Sequence, residues 1–327
     1  MAKLIFVTGA GGFIGINLIQ ELLKSGNKVI AVDNFCSADI HKSDQFSTNA
    51  NYELIQADIC DNIEKQLTHS HLLQQNGKID EIYNMACPAS PPRYLKLPLE
   101  TINTCTIGIK NILEIARKYN AKFLQASTSE IYGDPLEHPQ SESYRGNVNT
   151  IGPRSCYDEG KRIAETICFE YRKNYNLDVK IARIFNTYGP FMDPNDGRVI
   201  SNFINQAIHD KDLTIYGTGN QTRSFQYVTD LIAGLMKLMS TKNDFFGPVN
   251  LGNPNEFTMK ELAEIILSMV DTKSKIIFTD LPIDDPRQRK PDITIAMKDL
   301  NWKPIIELRE GLGKTIEYFK QTNSGNQ

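Results

Sequence analysis

Leu4–Gly15 reads LIFVTGAGGFIG, a short apolar run that breaks into glycines. The run has the length and composition of a buried strand. The next stretch, GFIGINLIQELLKSG from Gly12 to Gly26, carries apolar residues at helical spacing and stops on a glycine. Strand, glycine turn and helix in that order make a phosphate site. Phosphate needs exposed backbone N–H groups and the positive end of a helix, and Gly9, Gly12 and Gly15 let it approach the main chain closely. A second strand, KVIAVD, ends on Asp33. A carboxylate there accepts hydrogen bonds from a ribose diol and repels a 2′-phosphate, so the pattern favours NAD over NADP.

Working outward, strands and helices alternate. YELIQAD (52–58), EIYNMA (81–86), KFLQAST (122–128) and DVKIARIFN (178–186) read as strands. PLETINTCTIGIKNILEIARKYN (98–120) and YDEGKRIAETICFEYRKNY (157–175) read as amphipathic helices. Buried strands joined through helices pair in parallel with right-handed crossovers, so the fold class is α/β, a doubly wound parallel sheet. After Gly189 the rhythm changes. LTIYGTGNQTRSFQYV (213–228) reads as a hairpin turning at TGN, and GPVNLGN (247–253) as a strand returning to the sheet. The expected division is a dinucleotide-binding domain over 1–189, with that returning strand. A smaller mixed α/β substrate lobe follows over 190–320, then an unstructured tail over 321–327.

Bulk properties narrow the function. A net charge of −3 gives no basic field for nucleic acid. No apolar run approaches the ~18 residues of a membrane span, and the start reads as a buried strand rather than a signal peptide. The six cysteines show no CxxC and no paired spacing, the pattern of reduced thiols in a cytoplasmic protein, and no Cys/His cluster has metal-ligand spacing.

Tyr157 and Lys161 in SCYDEGKR lie four residues apart at a helix start, hence on one face. A phenol of pKa ~10 is no base at neutral pH unaided. An ammonium one turn away, with a cationic nicotinamide ring, favours the phenolate. YxxxK alone is most often a surface pair; after a dinucleotide strand set and the Ser/Thr-rich strand end ASTSEIYG (126–133), it reads as a catalytic pair. The loop DDPRQRKPD (284–292) is charged and bracketed by prolines, which is usually solvated surface.

Together TGxxGFxG, the strand-end Asp, the Ser/Thr-rich strand end and YxxxK resemble the extended short-chain dehydrogenase/reductases. ACPASPPRYLKLP, ASTSEIYGDPLEHPQSESYRGNVNTIGPRSCYDEGKR, ARIFNTYGP, YGTGNQTRSFQYVTD and RQRKPDI resemble one branch, the UDP-glucuronate decarboxylases. The likeness runs from the start to about Phe319 and is strong from Ala86 to Asp292. It implies bound NAD, a UDP-sugar substrate and a homodimer. It implies Phe13, Ile14, Asn34, Ile59 and Ala126 at the cofactor, beside the glycines and Asp33. Asp58 has two readings, an adenine contact or a strand-end cap. At the substrate it implies Pro88, Ser90, Tyr94, Ser127, Asn186, Thr187, Arg198 and Arg223, with Arg289 reaching the sugar carboxylate and Arg287 and Lys290 less favoured. Tyr216 has two readings, a stack on uracil or a hairpin core aromatic. Thr128 would hydrogen-bond the sugar hydroxyl that Tyr157 deprotonates, and Glu130 would face the ring. Related 4,6-dehydratases carry Asp-Glu where this chain has Ser129 and Glu130; one acid suffices if no water leaves.

The implied reaction is NAD-dependent decarboxylation of UDP-glucuronate to UDP-xylose through a 4-keto sugar. Three other readings stand beside it: 4-epimerisation of a UDP-uronate, release of the 4-keto pentose with NADH, and a non-catalytic NAD-binding protein. The chain departs from the branch at NFCSADIHKSD after Asp33, at the long connection DNIEKQLTHSHLLQQNGKIDE (61–81), at Cys87 in place of serine, and at Arg93.

Overall fold

A computed structural model describes residues 2–280 and 288–324. Its centre is a seven-stranded sheet. Six of the strands are β1 (Leu4–Thr8), β2 (Lys28–Asp33), β3 (Tyr52–Gln56), β4 (Glu81–Asn84), β5 (Lys122–Thr128) and β6 (Val179–Ile184). The seventh is Val249–Leu251, which pairs in parallel with β6. The order is β3-β2-β1-β4-β5-β6 and then 249–251, with every neighbour parallel. The chain winds outward from β1 to β3, then crosses back to β4. A crevice therefore opens at the carboxyl ends of β1 and β4, where the order reverses.

The pleat decides which residue packs where. Ile5 and Val7 on β1 belong to one apolar cluster with Ile16, Leu18, Ile19 and Leu22 of the helix Phe13–Lys24. Leu4 and Phe6 point to the opposite face and join Ile109, Ile112 and Leu113 of the helix Ile109–Tyr119. Period two in the strand against period 3.6 in the helices produces this two-sided burial. Side chains of the helix Ser155–Tyr175 cover the same second face through Ala164 and Cys168.

Beyond the sheet, one sequence expectation is corrected. Leu213–Tyr216 does not form a hairpin with the residues after TGN; it pairs in parallel with Ile276–Thr279. Thr222–Ser224 pairs instead with Glu256–Thr258, antiparallel, and with Gln288–Arg289, parallel. The local turn signal is real, since Gly217 and Gly219 both have positive φ, but non-local partners take both strands. Tyr216 accordingly stands 45% exposed rather than in a hairpin core. The tail is corrected as well: the last helix runs Leu308–Ser324, through residues expected to be unstructured, while 325–327 lie outside the described residues.

Candidate active site

A cleft of about 1630 Å³ lies over the carboxyl ends of the strands, between the glycine turn and the segments that follow the sheet. At one end Gly9 takes φ +67°, and a Cβ there would sit 2.6 Å from the carbonyl carbon of Met85. At Gly15 a Cβ would meet the Gly9 oxygen at 2.1 Å, so neither place admits a side chain. Gly12 starts the helix without a side-chain cap, which leaves the first N–H groups unclaimed by any cap. Asp33 braces the turn: its carboxylate accepts from the N–H of Gly11 at 2.9 Å and of Phe35 at 2.7 Å. Burial pushes this carboxyl up, against the backbone donors that pull it down. These features fit a dinucleotide pyrophosphate and its ribose, and the cofactor is NAD. Phe13, Ile14 and Ala126 line the cleft.

The middle of the cleft is built by the end of β5 and the start of the 155–175 helix. Tyr157 and Lys161 are 6% and 3% exposed, one turn apart. Lys161 donates to the carbonyl of Ala126 at 3.0 Å, which ties the helix to β5. Its ammonium lies 5.8 Å from the centre of the Tyr157 ring. Tyr94 stacks on the Tyr157 ring, with centroids 5.0 Å apart and planes 6° from parallel. Burial pushes the Tyr157 phenol up to about 12, against the pull of the Lys161 charge and of a hydrogen bond with Thr128. The hydroxyls of Tyr94 and Ser90 are buried in this part of the cleft with no partner among the described residues. Such groups cost free energy unless something completes them.

Next to this pair sits Glu130, in a 3₁₀ turn that Thr128 caps by accepting the Glu130 N–H at 3.2 Å. Its carboxylate pairs with Arg154 at 2.5 Å and Arg289 at 2.6 Å. Burial pushes the Glu130 carboxyl up, but Arg289, Arg154 and Arg223 together pull it below its ordinary range. Arg289 is 2% exposed; it also donates to Ser129 Oγ at 3.1 Å and to the carbonyl of Gly133 at 2.8 Å, while its Nε is buried with no partner among the described residues. Arg223 and Arg289 face Glu130 together because they are register partners in parallel strands, and partners point to the same face.

The structure thus brings Thr128, Glu130, Tyr157, Lys161 and Arg289 into one cleft, with Asn186, Arg198, Tyr216 and Arg223 along its lining. Ser127, Thr187 and Arg93 line it too, with side chains already bound within the protein, and some expected residues lie outside it. Pro88 is buried outside the cleft lining. Ile59 packs in the core beneath the sheet, and its carbonyl accepts from Asn111. The Ser127 hydroxyl points to Glu165, 2.5 Å away, because alternate β5 residues face opposite sides. The Thr187 hydroxyl is taken up by the Phe185 carbonyl and Gln226. Asp58 accepts from the side chain of Asn34 at 2.7 Å and caps the strand end through the N–H of Cys60 at 2.8 Å. Arg93 is paired with Asp193 at 2.8 Å. Lys290 pairs with Glu256, and Arg287 lies outside the described residues.

Two residues beside Tyr157 escaped the reading of the sequence. Arg154 and Asp158 flank Tyr157 on the same helical face, at the spacing 154, 157, 158, 161 that periodicity makes available. Burial and the neighbouring Glu130 charge push the Asp158 carboxyl up to about 7. It does not line the cleft.

Comparison with known proteins agrees with this geometry. Residues 6–315 match the family model described as GDP-mannose 4,6 dehydratase. UDP-glucuronic acid decarboxylase 1 of Arabidopsis thaliana is 50% identical over 97% of this chain and 69% of its own length. The Danio rerio protein of the same name is 47% identical over 98% and 73%. Among solved structures, UDP-glucuronic acid 4-epimerase from Bacillus cereus, in complex with UDP-glucuronic acid and NAD, superposes with TM-score 0.86 at 28% identity, covering 98% of this chain and all of that one. UDP-glucose 4-epimerase of Thermotoga maritima superposes with TM-score 0.87 at 26% identity, over 98% of this chain. The chain belongs to the UDP-glucuronic acid decarboxylase branch of the extended short-chain dehydrogenase/reductases.

Proposed function

We propose that Tyr157, Lys161, Thr128, Glu130 and Arg289 carry out the NAD-dependent decarboxylation of UDP-glucuronate to UDP-xylose. The observation that carries this reading lies at the end of β5 beside Tyr157, where Glu130 has Ser129, bound to Arg289, as its neighbour instead of a second acid. Eliminating water from a sugar needs an acid for the leaving oxygen as well as a base. Losing CO2 needs no leaving-group acid.

Tyr157, in the phenolate form that the Lys161 charge makes tolerable in a buried place, takes the proton from the sugar O4. NAD held by the glycine turn and Asp33 would supply a reversible hydride acceptor for C4. The ketone at C4 is β to the C6 carboxylate. When the C5–C6 bond breaks, its electron pair spreads onto the ketone oxygen, which Tyr157 and Thr128 hold. Glu130 holds a water that delivers the proton to C5. Arg289 fixes Glu130 and meets the sugar carboxylate, orienting it more than stabilising it, because a carboxylate held too tightly would resist leaving. Arg198 and Arg223 supply cations to the UDP pyrophosphate from the lobe over 190–320, while residues 1–189 hold NAD.

A homodimer is part of this proposal. Its support is apolar surface on adjoining helical segments: Leu99, Ile107, Ile163 and Phe169 are each 41–69% exposed. Sedimentation velocity should give twice the chain mass, and a charge introduced at Phe169 (Phe169→Asp) should shift it towards the single-chain value. A single-chain mass for the unaltered protein would remove the dimer. A cytoplasmic location is likewise proposed, on the six free cysteines.

The catalytic pair is tested by substitution. Tyr157→Phe should bind NAD and substrate normally and turn over ~10²–10⁴-fold more slowly, the usual scale for a general base. Near-normal turnover would exclude Tyr157 as the base. In Lys161→Met the phenol loses the cation that lowers its pKa. The rate, which rises with pH as the phenol ionises, should then rise at higher pH; an unmoved profile contradicts the role of Lys161.

For Arg289→Ala, calorimetry should show UDP-glucuronate weakened about ten- to a hundredfold, the loss of one charge-assisted pair, and UDP-glucose hardly at all. Equal losses for both sugars would mean that Arg289 serves only Glu130.

A further inference from the structure

Cys87 follows β4 and lines the cleft; Cys105 lies in a π turn, Thr104–Gly108, and is 3% exposed. Their sulfurs are 3.6 Å apart, in contact but unbonded. Cys105 also presses on the catalytic helix: a Cβ at Gly160 would lie 3.3 Å from both its Cβ and its sulfur. Gly160 is the residue before Lys161. The thiol pair therefore touches the turn that carries the lysine. Cys87 replaces the serine expected in this motif, and a serine could not form such a pair.

We propose that Cys87 and Cys105 are a peroxide-sensitive thiol pair whose closure into a disulfide reversibly lowers turnover. The electrostatics agree. The hydrogen bond between the two sulfurs pushes Cys87 up and pulls Cys105 down, and the Lys161 charge favours the anion at either. Cys105 is therefore the sulfur nearer the anion, while Cys87 reacts through the fraction that the Lys161 charge holds deprotonated.

Cys87, on the cleft, meets the oxidant, hydrogen peroxide. Its sulfur attacks one peroxide oxygen, the O–O bond breaks, and the departing oxygen leaves as water with the thiol proton. That leaves a sulfenic acid. Cys105 then attacks the Cys87 sulfur and expels hydroxide, which takes the Cys105 proton and leaves as a second water. Two thiols lose two electrons, and peroxide is reduced to two waters. Drawing the sulfurs in to the ~2.05 Å of a disulfide shifts the π turn and the Gly160 turn packed on it, and so displaces Lys161. A dithiol reductant reverses the bond.

The test uses the full chain with NAD bound and Cys36→Ser, since Cys36 is exposed and would link molecules. Hydrogen peroxide should produce a Cys87–Cys105 linked peptide on non-reducing mass mapping. Turnover should fall in step by about tenfold to a hundredfold, the scale of an ångström-level displacement of a catalytic group. Dithiothreitol should restore both. Cys105→Ala should form no linked peptide and should keep its turnover over the same exposure. Three results would each overturn the proposal: both thiols still alkylatable after exposure, a linked peptide with unchanged turnover, or the same rate of loss in Cys105→Ala.

Discussion

One buried charge organises the reactive half of the molecule. Glu130 is held at the cleft by Arg154, from the start of the long helix, and by Arg289, 159 residues further along the chain. A lone buried carboxylate would take up a proton rather than stay charged, because the interior cannot replace its hydration. Two guanidinium partners, with Arg223 nearby, keep it ionised against that burial. Three distant stretches of sequence must therefore fold together before the site exists: the end of β5, the helix start and the strand Gln288–Arg289.

The same constraint sets the two halves of the chemistry. The sheet supplies the dinucleotide turn and the Tyr157–Lys161 pair, and the pair is fixed by the bond from Lys161 to the Ala126 carbonyl on β5. The later segments supply the cations. The Arg223–Arg289 register is what turns two scattered arginines into a paired positive wall. A buried phenol beside an ammonium and an arginine-held carboxylate nearby are the groups that the proposed loss of CO2 and reprotonation would use as base and proton donor.

Much of this was legible in the sequence because the signals are local. The glycine turn follows from its place between an apolar strand and a helical run, and the Tyr–Lys geometry follows from four-residue spacing alone. What was misread is non-local. TGN looks like a hairpin turn, but the strand before it finds Ile276–Thr279, some sixty residues on. Ser127 and Thr187 line the cleft, and the partners of their hydroxyls, Glu165 and Gln226, come from distant segments. Arg154 and Asp158 were visible in the helical period and were passed over. The Cys87–Cys105 contact joins residues with no paired spacing, so only the packed structure reveals it.

The most direct measurement is NMR of the purified protein turning over UDP-glucuronate labelled with ¹³C at C6, without added NADH. The label should leave the sugar as CO2 and bicarbonate while UDP-xylose accumulates, with no stoichiometric rise in NADH absorbance. Label retained in UDP-galacturonate, or NADH accumulating with a 4-keto pentose, would contradict redox-neutral decarboxylation by this site.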